Sequence, residues 1–152
     1  MIGVSLDGEM AAARHMQDVE ISFELSRIDF RATSDQIMQS YWGSSRTDEM
    51  NRRAFANSLC VGAYLHGRQV GFARAITDYT VFAYFADVII CPEHRGQGIG
   101  KRLVQALIEH PEVASVTHWS LSTNDAHSLY EKFGFEASTD GRYMRLDRGP
   151  TA

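Results

Sequence analysis

Three glycines alternate along a basic stretch in the second half of the chain, Gly96, Gly98 and Gly100 within HRGQGIGKR. A helix-like apolar pattern begins immediately after them. One or two glycines suffice for a tight turn, so three at alternate positions indicate that a ligand approaches the backbone closely. Backbone N–H groups at the start of a helix bind phosphates and other anions. The stretch therefore predicts an anion-binding loop at a helix N-terminus.

Two common phosphate-binding motifs do not fit this loop. The P-loop pattern G-x-x-x-x-G-K-[ST] would place its first glycine at Arg95 and its hydroxyl residue at Arg102. The dinucleotide pattern G-x-G-x-x-G starts correctly at Gly96 but finds Lys101 where its last glycine belongs. A plain strand-to-helix turn with a solvated basic face remains the alternative to an anion site.

A single acidic residue interrupts the apolar run FAYFADVIIC that precedes the loop. Burying the charge of Asp87 without a partner would be costly in free energy, so its presence in this strand indicates a specific role. One hypothesis is a general base that takes a proton from a substrate. The other is a structural ion pair with Arg74 on the neighbouring predicted strand. The sequence leaves both open.

Another candidate binding segment is the polar loop YWGSSR, which carries Tyr41, Trp42 and Arg46. Exposed aromatic side chains in a polar loop are candidate binding groups, and an arginine can hold a carboxylate with two hydrogen bonds. The loop therefore predicts an acceptor with a carboxylate. As alternatives, the aromatic rings fill the seam between two helices, and Arg46 pairs with Asp48 or Glu49 nearby.

The elements that must position these residues follow from apolar periodicity. Strands are expected at 20–25, 59–65, 69–76, 80–91, 115–123, 135–138 and 142–147. Helices are expected at 33–41, 47–58, after the glycine loop as far as Pro111, and at 125–133, with Ser34 and Thr47 capping the first two. This order predicts the α/β (α+β) class, with a mixed, mostly antiparallel central sheet and helices on both faces.

Length and composition favour a globular protein of ordinary kind. The 152 residues predict a single domain over 20–147, an N-terminal appendage at 1–19 and a tail at 148–152. A net charge of −4 gives no general attraction to nucleic acid or anionic membranes, and no apolar run approaches membrane-spanning length. Two cysteines without CxxC spacing and scattered histidines predict a cytoplasmic protein with no metal site.

The glycine loop resembles the pyrophosphate loop of the GNAT superfamily of N-acetyltransferases. That loop reads R-x-x-G-x-G, as do Arg95 to Gly100 in I-C-P-E-H-R-G-Q-G-I-G. Downstream, T-N-D-A-H-S-L-Y-E-K-F-G-F (123–135) resembles the superfamily segment N-x-x-A-x-x-L-Y-x-K-x-G-F. The asparagine is displaced, because Thr123 stands at the matching position and Asn124 follows it. With the element order, the resemblance runs from about residue 20 to 147 and implies a GNAT-like acyl-CoA N-acyltransferase fold.

The resemblance also assigns roles to individual residues. It implies binding of acetyl-CoA by the strand before the loop, by the loop and by Thr123 or Asn124. The strand and loop positions are Val88, Ile89, Ile90, Arg95, Gly96, Gln97, Gly98, Ile99, Gly100 and Lys101. Tyr130 is expected to donate a proton to the departing thiolate, with Asp87 as the base and His118 as an alternative base. Tyr41, Trp42, Arg46 and Arg74 are expected to contact the acceptor.

The function implied is transfer of an acetyl group from acetyl-CoA to a primary amine of a small, amino-acid-like acceptor. The amine attacks directly, through a tetrahedral intermediate whose oxyanion accepts from a backbone N–H of Val88 to Ile90. The alternatives are acetylation of protein N-termini or lysines, and a non-catalytic acyl-CoA sensor. No nucleic-acid or membrane partner is expected, and a homodimer is compatible with the sequence.

Overall fold

The computed structural model of the chain describes Met16 and residues 18–149. Most of the predicted appendage at 1–19, and the last three positions of the predicted tail, lie outside the described residues. The described residues fall into two compact units, one up to Ser122 and one from Thr123. The single domain over 20–147 stays a prediction.

The first unit is built on a five-stranded sheet with the strands in sequence order. The strands are β1 (Val19–Ser22), β2 (Leu59–Leu65), β3 (Arg68–Thr77), β4 (Phe82–Ile90) and β5 (His118–Ser120). The first four pair antiparallel, and β5 pairs parallel with β4. This confirms the predicted mixed, mostly antiparallel sheet, with the hairpin turning at His66 and Gly67.

Among residues 19–149, three α-helices belong to the first unit and one to the second. They are α1 (Phe30–Gln39), α2 (Asp48–Ala56), α3 (Ile99–Glu109) and, in the second unit, α4 (His127–Glu131). Short 3-10 turns occur at Leu25–Arg27, Pro92–His94 and Pro111–Val113. The helices predicted around residues 33–41, 47–58, 99–110 and 125–133 are therefore present with shifted ends.

One predicted cap is confirmed and the other is wrong. Thr47 caps α2, because its hydroxyl accepts from the backbone N–H of Met50. Helix α1 instead starts three residues earlier than its predicted first residue, since the carboxylate of Asp29 caps it. Ser34 is buried inside α1, where its hydroxyl donates to Asp48 at 2.7 Å.

Helices cover both faces of the sheet, as predicted. The pair α1 and α2 packs on the face that carries Phe72, in a core cluster made of Ile37, Phe55, Cys60, Phe72 and Ile89. The adjacent Gly71 points to the opposite face, because neighbouring residues of a strand alternate. A Cβ added at Gly71 would lie 3.1 Å from Leu103 Cδ1 of α3. The glycine therefore lets α3 pack closely on that face.

The predicted final strand pair is wrong. Residues 135–149 form neither strand nor helix. Tyr143, Met144 and Leu146, whose spacing suggested a strand, are 70%, 90% and 76% exposed. A strand pair needs to bury one face to be stable. These three side chains stay in solvent, so alternation alone does not produce a strand.

Helices of the described residues are short, and the longest, α3, has 11 residues. Within residues 18–149, no helix combines the length and apolar character needed to cross a membrane.

Candidate active site

The predicted anion-binding loop lies between the end of β4 and the start of α3. Its residues Arg95 to Gly98 are exposed. Gly96 and Gly98 have φ of +76° and +83°, a region that residues with side chains rarely adopt. A Cβ added at Gly96 would meet no described atom within 4 Å, and one at Gly98 would make ordinary contact with Met16. The loop therefore presents backbone without side chains, with open space at Gly96 and room for a Cβ at Gly98.

The N-terminus of helix α3 adds a partial positive charge to this loop. Gly98 is its N-cap, so no side chain competes for the N–H groups of the first turn, which have no partner within the helix. The positive end of the helix dipole points the same way. Ile99 is buried and anchors the turn, while Lys101 is exposed beside it. The predicted loop positions are thus brought together at one helix end.

The neighbouring Arg102 does not serve the loop. Its Nη1 donates to the carbonyl oxygens of Met16 at 2.8 Å and Val19 at 2.7 Å. The guanidinium is thus held by the backbone at and before the start of β1. Arg102 therefore ties the start of α3 to the chain that leads into β1.

Strand β4 presents an incompletely paired edge just before the loop. It pairs with β3 as far as Ile90 but with β5 only over Phe82–Tyr84. Within the described part of the chain, residues 86–90 therefore have no strand partner on the β5 side. The carbonyl of Ile90 accepts from Gln36 Nε2 at 2.9 Å and from Arg95 Nε at 3.3 Å. The predicted strand positions Val88, Ile89 and Ile90 thus lie on the part of β4 that has no partner in β5.

A β-bulge interrupts β4 at Asp87. Between the pairs Phe72↔Ile89 and Arg74↔Ala86, β3 has one residue whereas β4 has two, Asp87 and Val88. Asp87 has φ of +54°, a left-handed conformation that aspartate tolerates better than most side chains. Bulges reorient a side chain relative to the regular strand. Here the reoriented side chain is the acid that the sequence singled out.

Asp87 lies in a group of four side chains, the Asp87 cluster, in which Arg74 and Asp87 are buried and Arg46 and Ser58 are partly buried. Arg74 Nε donates to Asp87 Oδ2 at 2.6 Å. Arg46 Nη1 lies 2.9 Å from Oδ1 and 2.8 Å from Oδ2. Arg74 also donates from Nη1 to the Ser58 hydroxyl at 2.9 Å. The predicted ion pair of Asp87 with Arg74 is present, and proton acceptance by Asp87 stays a prediction.

Arg46 does hold a carboxylate, but that of Asp87 rather than a near neighbour in sequence. Asp48 instead accepts from Arg31 Nη1 at 2.8 Å. The hydrogen bonds from Arg31 lower the pKa of Asp48 to about 2. The alternative that Arg46 pairs with Asp48 is therefore wrong. Contact of Arg46 and Arg74 with an acceptor stays a prediction.

The aromatic residues of the α1–α2 loop are accessible. Tyr41 is 71% exposed and Trp42 is 39% exposed. The Cζ atom of Arg46 lies 5.5 Å from the centroid of the Trp42 ring, within the range of a cation–π contact. Tyr41 does not fill a seam between helices, because most of its surface faces solvent. The loop thus places an aromatic ring against the outer arginine of the Asp87 cluster.

In the second unit, Thr123 caps the turn that leads into α4. Its hydroxyl accepts from the backbone N–H of Ala126 at 3.0 Å. Tyr130 is buried, near the end of α4, and its ring packs edge-on against Phe135 with centroids 5.9 Å apart. Gly134 follows with φ of +90°, as expected of a residue that ends a helix. Contact of Thr123 or Asn124 with acetyl-CoA, and proton donation by Tyr130, stay predictions.

Two residues of the site had no signal in the sequence. Gln36, on α1, holds the end of β4 from 54 positions away. Ser58 accepts from Arg74 and donates to the carbonyl of Ala54. Both are ordinary polar residues in amphipathic segments, and only the packing of helices on the sheet brings them to the site. His118, the alternative base, is exposed on β5 beside Thr117.

We expect the two cysteines to differ sharply in reactivity. Cys60 is buried, its thiol faces the carbonyl of Phe55, and burial raises its pKa to about 12. Roughly one Cys60 thiol in ten thousand is then ionised at pH 8, whereas Cys91 is partly exposed. A disulfide reagent at pH 8 should label one thiol per native chain and two in denaturant. Rapid labelling of both in the native protein would contradict the buried position of Cys60.

Comparison with known proteins identifies the family. The model of the GNAT acetyltransferase domain matches residues 56–137, more than half of the chain. A GNAT-family protein of Xanthomonas campestris pv. campestris has the same fold, with 37% identity and a TM-score of 0.81 over 87% of this chain and 94% of that chain. Glucosamine-6-phosphate N-acetyltransferase of Arabidopsis thaliana shares the fold alone, at 18% identity, a TM-score of 0.60 and coverage of 85% and 99%.

Curated relatives match over about half of this chain. GCN5-related N-acetyltransferase 2, chloroplastic, of Arabidopsis thaliana is 36% identical over 47% of the chain, and histone acetyltransferase TAP1 of Glycine max is 34% identical over 49%. The chain spans 28% and 32% of those two proteins. The residues that the family model matches, 56–137, contain the hairpin, the bulged strand, the glycine loop and α3. On these grounds the chain belongs to the GNAT acetyltransferase family.

Proposed function

We propose that the protein is an N-acetyltransferase that moves an acetyl group from acetyl-CoA to a primary amine of a small, amino-acid-like acceptor. The observation that carries the proposal is the exposed glycine loop at the N-terminus of α3, in a chain of the GNAT family. An amine acceptor is supported by the acidic side chain on the adjoining strand. A cytoplasmic location belongs to the same proposal and rests on composition.

The residues of the loop fit the diphosphate of CoA. Gly96 and Gly98 leave space at the backbone, and N–H groups of the first turn of α3 would bind the phosphate oxygens. Lys101, exposed in that turn, would add a positive charge. Arg95 and Gln97 complete the exposed loop. When bound, acetyl-CoA supplies a thioester, whose acetyl group an amine can attack.

Residues on β4 and α4 would handle the charges and protons of the transfer. A backbone N–H of Val88 to Ile90, on the incompletely paired edge, would donate to the developing oxyanion. The amine's proton would pass to Asp87, and the departing thiolate would receive one from Tyr130. The assignment of Tyr130 rests on the match of its segment to the superfamily pattern. Thr123 or Asn124 would contact the cofactor on the same basis.

Acetyl-CoA binding is tested with Gly98→Glu, which places a side chain and a negative charge at the N-cap of α3. At ten times its dissociation constant, acetyl-CoA should stabilise the wild type by about 1.4 kcal/mol through mass action. The variant should lose this stabilisation at the same concentration, as measured by thermal unfolding with and without the ligand.

Gly67→Glu is a matched control for that variant. Gly67 also has positive φ, +79°, and a Cβ there would meet no described atom within 4 Å, but it lies in the β2–β3 turn. Both variants place a side chain at a similar positive φ and add one negative charge. Acetyl-CoA should therefore stabilise Gly67→Glu as it does the wild type. Equal stabilisation of all three proteins would contradict the assignment of the loop.

The reaction itself is tested by an amine screen that follows release of the CoA thiol. The panel includes amino acids, amino sugars, polyamines, and peptides with a free N-terminus or lysine. We expect turnover of small amines with a kcat/KM well above that of peptides. Preference for peptides would support protein acetylation instead. Tight binding of acetyl-CoA without turnover of any amine would support a sensor.

A further inference from the structure

Arg46 is the most exposed of the three charged side chains in the Asp87 cluster. Its side chain is 25% exposed, against 7% for Arg74 and 1% for Asp87. It follows the loop that carries the exposed Tyr41 and Trp42, and it lies against the Trp42 ring. A ligand that enters from this loop therefore meets the Arg46 guanidinium before it meets the carboxylate.

The two arginines hold Asp87 in different ways. Oδ2 accepts from Arg74 Nε at 2.6 Å and from Arg46 Nη1 at 2.8 Å. Oδ1 accepts from Arg46 Nη1 at 2.9 Å, its one hydrogen bond among the described contacts. If Arg46 moves away, Oδ2 keeps its bond from Arg74, and Arg74 keeps Ser58. Departure of Arg46 therefore exposes Oδ1 without leaving the buried carboxylate unpaired.

The charges of the cluster favour a ligand with two opposite charges. Two guanidinium groups face one carboxylate, so the cluster carries one excess positive charge. An anionic group of a ligand can bind Arg46, while the ligand's ammonium group can bind the Oδ1 that Arg46 leaves. An amino acid carries these two groups close together. A simple amine has no group to compete with Asp87 for Arg46.

We infer that Arg46 exchanges partners during the reaction, and that this exchange selects acceptors with a carboxylate. In the protein without acceptor, Arg46 binds Asp87. In the complex, Arg46 binds the carboxylate of the acceptor, and Asp87 Oδ1 accepts a proton from its ammonium group. The nitrogen becomes a neutral amine that can attack, and the proton resides on Asp87. This inference rests on the proposed N-acetyltransferase function and adds a residue that selects the acceptor.

The test compares each of the twenty amino acids with its amide as acceptor, in the presence of acetyl-CoA. The amide has the less basic amine, which is more often neutral at pH 7.5, so intrinsic reactivity favours the amide. The wild type should nevertheless prefer at least one acid by about tenfold or more in kcat/KM, the effect of one charge-assisted contact. Arg46→Ala should bring that ratio to about one or below.

Two further variants make the result specific. Arg46→Lys keeps the charge but not the guanidinium, so it should retain part of the preference. Arg53→Ala removes an exposed arginine of α2 outside the cluster and should leave the ratio unchanged. Because each ratio compares two acceptors on one variant, loss of folded protein cancels.

Each outcome decides the inference. A preference for the acid that Arg46→Ala abolishes supports it. Equal or better use of the amides by the wild type overturns it but leaves the N-acetyltransferase function standing. A preference that persists in Arg46→Ala also overturns it. If acetyl-CoA binds and no amine of any kind is acetylated, both the inference and the proposed function are overturned.

Discussion

Replacing Asp87 with asparagine is expected to lower the free energy of unfolding by about 3 kcal/mol or more. Removing one partner of a buried ion pair leaves the other charge uncompensated, which costs about 3–5 kcal/mol. Here the Asp87 side chain is 1% exposed, and both Arg46 and Arg74 lose their anion. Asparagine tolerates the left-handed backbone at this position. The loss of stability therefore measures the effect of removing the charge and not that of backbone strain. Urea unfolding at pH 7 measures it.

Asp35→Asn is the matched control. Asp35 also pairs with an arginine, Arg31, but the two side chains are 48% and 56% exposed. Exposed ion pairs contribute little because water and salt screen them. The control should therefore lose much less stability than Asp87→Asn. Similar losses in the two variants would show that burial of the Asp87 cluster does not decide its strength.

Tyr130→Phe is expected to lower kcat by about 10²-fold, the lower end of the effect of a general acid. The change removes one hydroxyl and keeps the ring that packs on Phe135. Affinity for acetyl-CoA should change little, because the proton is needed only as the thiolate leaves. Steady-state kinetics with an accepted amine, together with a binding measurement for acetyl-CoA, separates the two effects.

Tyr143→Phe controls for loss of a tyrosine hydroxyl in the same unit. Tyr143 is 70% exposed and lies outside the superfamily-like segment. Its kcat should match that of the wild type. If Tyr130→Phe also matches, in single-turnover experiments that isolate the chemical step, Tyr130 is a packing residue and the thiolate obtains its proton elsewhere.

Local patterns were sufficient to predict most of the fold. The hairpin, the central strand, the glycine loop and α3 follow from alternation, helical periodicity and turn residues. These signals act over a few positions, where the backbone preference and the burial pattern agree. The strand pair expected at 135–138 and 142–147 had alternation but no burial, and it does not form. Alternation predicts a strand only where the fold offers a face to cover it.

The site was predictable only in part. Its loop has a local signature, and the acid in an apolar strand drew attention to Asp87. The contact between Arg46 and Asp87 spans 41 positions and depends on how α1 and α2 pack on the sheet. The hydrogen bonds of Arg102 likewise depend on a segment that is distant in sequence, the chain before β1. A long side chain such as arginine can reach several partners, so the sequence alone does not predict which partner it binds in the fold.

The bulge in β4 also has a consequence for how the site could be gained or lost. The pairs Arg74↔Ala86 and Phe72↔Ile89 differ by one position, and Asp87 is the additional residue. Without it, Val88 would stand opposite Ala73, and every other side chain of the strand would stay on its present face. Asp87 is therefore an extra residue that has no partner of its own in the β3–β4 pairing. Insertion of a single codon into a regular strand would thus add this carboxylate while every other side chain of β4 kept its face, provided that Arg46 and Arg74 were present to pair with it.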